Sequence, residues 1–128
     1  MAKYILKKTR RQAAVKVTGT GQTTINIYEL AYADQTITTA NLVLTISDLV
    51  YDAASAGNIV RNGNVIYTFS PGQNTIKFSS ELGVVLDEQA NANVIVNLGS
   101  GESTVVIQFS KGDGYNDPNR QNQGPGVL

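Results

Sequence analysis

The sequence predicts an all-β fold: an antiparallel β-sandwich of jelly-roll type, or a small barrel, of about eight strands with an extended C-terminal tail. Three observations carry this. Val, Ile and Thr supply 35 of the 128 residues, and β-branched side chains fit a pleated, half-buried surface. Twelve Gly and twelve Asn supply turn residues in quantity. Apolar and polar residues alternate over short runs, and turn signals recur at roughly 8–12-residue intervals, the spacing of sandwiches and small barrels. No fixed-period repeat is visible, which argues against a solenoid. The length fits one domain with one core. We expect that domain at 1–110 and a tail at 111–128.

The elements follow in order. KYILKK at 3–8 reads as a first strand and AAVKVTG at 13–19 as a second, with TRRQ between them as a hairpin or bend. GTGQ at 19–22 reads as a turn. TTINIYEL follows as a strand in which Ile25 and Ile27 alternate with Asn26 and Tyr28. LAYADQTITTA at 30–40 fits either a helical turn or a loop. In NLVLTISDLVY, Leu42, Leu44 and Ile46 alternate with Val43, Thr45 and Ser47, which favours a strand over a helix. DAASAGN at 52–58 is small and polar, hence a loop.

NIVRNGNVIYTF at 58–69 holds the sharpest local signal. Asn62-Gly63 between two β-rich runs encodes a hairpin, because both residues tolerate the positive φ that a type I′ turn requires. Val65, Tyr67 and Phe69 then share one face. Ser70-Pro71-Gly72 ends the strand, since Pro cannot donate to a ladder. NTIKFSS places Ile76 and Phe78 on one face, and ELGVVLDEQANA at 81–92 reads as a strand plus turn. NVIVNL, GSGE and STVVIQFS read as a second hairpin, with Val94, Val96 and Leu98 matched to Val105, Ile107 and Phe109. From Lys111 the alternation stops, and GDGYNDPNRQNQGPGVL reads as an extended or disordered tail.

Charge is balanced overall, ten basic against ten acidic residues, but not along the chain. Lys3, Lys7, Lys8, Arg10, Arg11 and Lys16 place six cations in the first 16 residues with no acid among them. One reading is a solvated edge strand guarded by lysines. The sharper reading is a docking patch for an acidic partner surface, which makes these six residues the candidate partner-binding site. Nucleic-acid binding through Lys7, Lys8, Arg10 and Arg11 is disfavoured, because only Tyr4 lies among the cations and the whole chain is neutral.

The available chemistry argues against an enzyme. Cys, His and Trp are absent, so disulfides, thiolate chemistry, Cys/His zinc sites and a histidine base are excluded. Asp87-Glu88 is the one adjacent acid pair, and neighbours along a strand point to opposite faces. No G-x-S-x-G elbow and no complete phosphate-loop motif occurs. Asp113, Asn116 and Asp117 offer oxygen ligands of the kind calcium takes, but Tyr115 interrupts the EF-hand pattern and Asx-turn chemistry explains the same letters. We expect no cofactor. Tyr28, Tyr32 and Tyr51 are the rings available to a carbohydrate platform. No apolar run reaches 18 residues, so no transmembrane helix is expected. The opening lacks the uninterrupted apolar centre of an export signal, which places the expected start at or near Met1.

A short Cys- and His-free β-sandwich that opens with basic KYILKKTRRQAAVKV and closes with GYNDPNRQNQGPGVL resembles the small virion structural proteins of tailed bacteriophages, especially capsid decoration (cement) proteins. The resemblance implies a module made in the host cytoplasm and carried on the virion. It would sit on the assembled shell, often as a trimer, and contact the major capsid protein or another virion protein. It assigns no residue a role. The alternatives are a carbohydrate-binding sandwich at the neck, tail or fibre and, third, a nucleic-acid-binding protein.

Overall fold

The computed structural model describes residues 2–78 and 92–116. They form nine strands: β1 (Ala2–Lys8), β2 (Gln12–Ile25), β3 (Thr36–Ile37), β4 (Leu44–Ala53), β5 (Gly57–Arg61), β6 (Asn64–Phe69), β7 (Gly72–Lys77), β8 (Val94–Lys111) and β9 (Tyr115–Asn116). Short 3-10 helices at Ile27–Leu30 and Thr39–Asn41 complete the elements. Seven strands make one antiparallel sheet, and β3 pairs with β9 in a small second one. The all-β expectation holds, with a sandwich-like or small barrel-like body.

Two long strands organise it. β2 and β8 run antiparallel along most of their lengths. One half of β8 has β4 as its other neighbour, and β4 in turn pairs with β7. The other half of β8 pairs with β5, and β5 with β6. The halves face each other across one core, where the Tyr51 ring of β4 lies 5.1 Å from the Phe69 ring of β6. Val94, Val96 and Leu98 fill one half, and Val105, Ile107 and Phe109 the other. Each such side chain contributes about 1.5–3 kcal/mol by leaving water.

Three local expectations are corrected. GSGE does not close a hairpin; the chain passes through it as part of β8, with residues 99–102 bulged opposite Thr20 alone. Neither Gly99 nor Gly101 has the positive φ of a tight primed turn. Both are glycine because the 54–56 loop packs on them: a Cβ on Gly101 would stand 2.7 Å from the Ala54 Cβ, and one on Gly99 would collide with the Ser55 hydroxyl. GTGQ at 19–22 does not reverse the chain either; β2 continues through it with a register shift between Gly19 and Gly21. The strand expected over TTINIYEL ends at Ile25. Asn26 caps a 3-10 turn there: its side chain accepts from the Tyr28 N–H at 2.8 Å, and the Glu29 carboxylate accepts from the Asn26 N–H at 2.9 Å.

Other expectations stand. Asn62 and Gly63 have φ of 51° and 78°, as a type I′ hairpin between β5 and β6 requires. The 41–51 run forms a strand, beginning at Leu44. The folded body runs past the expected boundary at 110. Lys111 is buried at the end of β8, and buried Tyr115 pairs through β9 with Ile37. Residues 117–128 lie outside the described residues, as does all but Ala92 of the strand and turn expected over 81–92.

Candidate docking edge

Among the described residues β1 lies at one end of the sheet path and pairs with β2, from Ala2 opposite Thr18 to Lys8 opposite Ala13. Opposed residues share a face, so the register sorts the basic run. Lys3, Ile5 and Lys8 lie opposite Val17, Val15 and Ala13, on the face that β2 turns to the core. Tyr4 and Lys7 lie opposite Lys16 and Ala14 on the other face. A bulge between Ile5 and Lys7 sets Leu6 out of register. At the sheet edge both faces stay open: Tyr4 is 51%, Ile5 40% and Leu6 54% exposed.

The six candidate cations are therefore split rather than pooled. Lys3 donates to the Glu29 carboxylate at 2.8 Å and to the Thr24 carbonyl at 2.9 Å. Lys8 reaches the Glu29 carbonyl at 3.5 Å. Lys7 donates to the Gln12 side chain at 2.7 Å, and the Lys16 ammonium stands 5.4 Å from the Tyr4 ring centroid. Arg10 lies 3.7 Å from the Asp34 carboxylate and 5.4 Å from the Tyr32 ring centroid. Arg11 is exposed. Lys7, Lys8 and Arg11 project at the β1–β2 turn, while Lys3 is tied to Glu29.

That turn is held from beneath. Thr9 and Gln12 close it, with the Thr9 N–H donating to the Gln12 carbonyl at 2.8 Å and the Gln12 N–H to the Thr9 hydroxyl at 3.0 Å. The Thr9 carbonyl accepts from the Lys111 ammonium at 2.6 Å, the Arg10 carbonyl from the Gln35 amide at 2.9 Å, and the Arg11 carbonyl from the Lys111 N–H at 2.8 Å. The backbone is clamped inward, so the exposed Arg11 side chain projects from a held turn. Sequence reasoning missed Lys111, which the break in alternation assigned to the tail. It also missed Glu29, although the Asn26-x-x-Glu29 capping spacing was legible.

Tyr115 completes the support. Its hydroxyl donates to the buried Ile27 carbonyl at 2.8 Å, and its ring lies 4.9 Å from the Lys111 ammonium. Burial pushes its pKa well above the ordinary 10.0, against a smaller lowering by the Arg61 charge. A raised native pKa adds stability that is full below the unfolded value near 10 and is lost as pH rises through the native value. We expect Tyr115→Phe to cost about 1 kcal/mol at about pH 7, through the orphaned carbonyl, and the gap to close as pH rises above about 10. Urea titrations at several pH values measure it, and a gap that stays constant up to about pH 11 contradicts the buried-phenol account.

The other candidate sites fare differently. Tyr51 is only 8% exposed and stacks on Phe69 in the core, so it is not available to a carbohydrate platform; Tyr28 and Tyr32 remain at the surface. A groove of about 440 Å³ on the β4–β7–β8 face is lined by Val50, Val106, Asp52 and Gln73, among others, with Gln73 donating to Asp52 at 3.2 Å. Asn116 donates to the Thr38 hydroxyl at 3.0 Å, and the Asp113 carbonyl accepts from the Val43 N–H at 2.7 Å, which is turn and bridging chemistry. No cluster of three acidic ligands occurs among the described residues. Asp117, Asp87 and Glu88 lie outside them. No helix among them is long and apolar enough to cross a membrane. No protein-family model, curated protein or solved structure matches the chain.

Proposed function

We propose that this protein is a non-enzymatic structural component of a bacteriophage particle, a decoration module that docks on the assembled capsid shell through its β1 edge and β1–β2 turn. The observation that carries the reading is the exposed Tyr4-Ile5-Leu6 stretch, with Lys7, Lys8 and Arg11 beside it, on the edge of a sheet braced by two long strands. A preorganised surface loses little entropy on docking. Repetition on a lattice lets modest single contacts hold through avidity. Cations at the rim favour an acidic partner and speed the encounter.

Protein quantification in purified particles tests this reading. On the order of hundreds of copies per particle fits a shell position, since closed symmetric assemblies repeat each subunit contact many times. A handful moves the protein to the neck or tail, and absence from particles overturns the proposal. The paired change Lys7→Glu and Lys8→Glu should weaken attachment at least about tenfold while leaving stability within about 1 kcal/mol, because exposed charges contribute little to folding. Wild-type attachment should fall as salt rises. Co-sedimentation with stripped shells measures both, and unchanged attachment of the variant rejects the edge as the docking site.

A further inference from the structure

We infer that the outer edge of β1 is a strand-addition site, occupied by an extended segment of the partner that carries carboxylates at its N-terminal end and apolar residues after them. This rests on the docking reading above and adds the mode and polarity of recognition. An edge strand carries a row of outward N–H and C=O groups that can template another strand. Natural edges are commonly blunted by charge placed along the strand. Lys7 and Lys8, at one end of β1, meet neutral acceptors, the Gln12 side chain and the Glu29 carbonyl, while Tyr4, Ile5 and Leu6 stay exposed in the middle.

Chemistry selects the occupant. A second β1 is disfavoured: the bulge between Ile5 and Lys7 sets Lys3 and Lys7 on opposite faces, so two β1 strands centred on Ile5 cannot keep facing residues matched, and each brings three lysines and no acid to the pair. A nucleic-acid backbone offers phosphate acceptors but no matching row of donors for the strand's carbonyls. An extended polypeptide supplies both. Its carboxylates belong opposite Lys7 and Lys8, because Lys3 at the other end already holds Glu29 at 2.8 Å. In an antiparallel addition that end is the N-terminal end of the incoming strand. Successive residues point to opposite faces, so two adjacent acids would serve Lys7 on one face and Lys8 on the other. Seven residues, about 24 Å, match the length of β1.

The test uses the intact protein and the peptide acetyl-Glu-Asp-Val-Ile-Val-Thr-Thr-amide. Two further versions carry N-methyl groups on one or the other alternating set of backbone nitrogens. Strand addition predicts that one methylated set binds at least tenfold more weakly and the other nearly as well as the parent. It also predicts that amide exchange slows in residues 3–8 on binding, and that Lys7→Glu with Lys8→Glu loses at least tenfold. Equal binding of all three peptides reduces the contact to charge and overturns the inference, as does unchanged exchange in 3–8 or no binding at millimolar peptide. Self-association of the wild-type protein that slows amide exchange in residues 3–8 would make the occupant a second copy and overturns the partner assignment. If the peptides fail while attachment to shells still depends on Lys7 and Lys8, strand addition falls and the docking reading stands.

Discussion

Arg61→Met should lower the unfolding free energy by about 2–4 kcal/mol, through the two buried carbonyls it leaves without a donor. Arg61 is fully buried although it adjoins the Asn62-Gly63 hairpin turn. It shares a face with buried Ile59 and lies opposite Val94 of β8, so its side chain enters the core. There its guanidinium donates to the Leu44 carbonyl at 2.5 Å and to the Ala92 carbonyl at 2.9 Å. These bonds tie the start of β4 and the approach to β8 to the end of β5. Methionine preserves much of the stem packing and removes the donors, leaving carbonyls without their charge-assisted partner. Chemical denaturation measures the loss, read as a lower midpoint with an unchanged slope. A variant within about 1 kcal/mol of wild type would mean that other donors or water replace the guanidinium.

Lys111→Met should cost about 3 kcal/mol and, under the proposed docking at the β1–β2 turn, weaken attachment as well. Lys111 is 2% exposed, and its ammonium bonds the Thr9 carbonyl at 2.6 Å and the Leu30 carbonyl at 2.7 Å. It therefore joins the β1–β2 turn to the end of the 3-10 helix whose Glu29 holds Lys3. Losing it removes one of the ties on the turn that presents Lys7, Lys8 and Arg11. We expect faster amide exchange in residues 9–12 and weaker attachment to shells under conditions where the variant is still folded. Loss of stability with unchanged exchange in the turn would confine Lys111 to a core role. The two supports meet at the start of β4, where Arg61 bonds the Leu44 carbonyl and Leu44 pairs with Lys111, so it is exchange in residues 9–12 that separates presentation from packing.

Both residues show where reading along the chain loses its hold. Arg61 sits in R-N-G-N, a motif that fixes the hairpin and suggests an exposed tip; the register of β5 on β8 turns this arginine inward. Lys111 begins a stretch without apolar alternation, and burial there depends on carbonyls of residues 9 and 30, far away in sequence. GSGE misled in the same way. Its glycines mark a close approach by the 54–56 loop, which no local pattern encodes. The candidate cations were legible as residues, but not their division between two faces of β1 or the tie between Lys3 and Glu29.

What the amino-acid sequence determined by itself was the class of structure, the Asn62-Gly63 hairpin, the strand character of the 41–51 run and the concentration of cations at the N-terminal end. Each rests on interactions among neighbours: side-chain branching, positive φ at Asn and Gly, alternation and simple charge count. Tertiary structure alone decided that β2 and β8 run through their glycine-rich midpoints, that Arg61 and Lys111 are internal, and that Tyr4, Ile5 and Leu6 stay exposed beside Lys7 and Lys8. The physical reason is that burial and register are properties of pairs of strands. A glycine reads alike as a turn or as a gap for a crossing loop, and a lysine as solvated or as a clamp, until the partner's position is known.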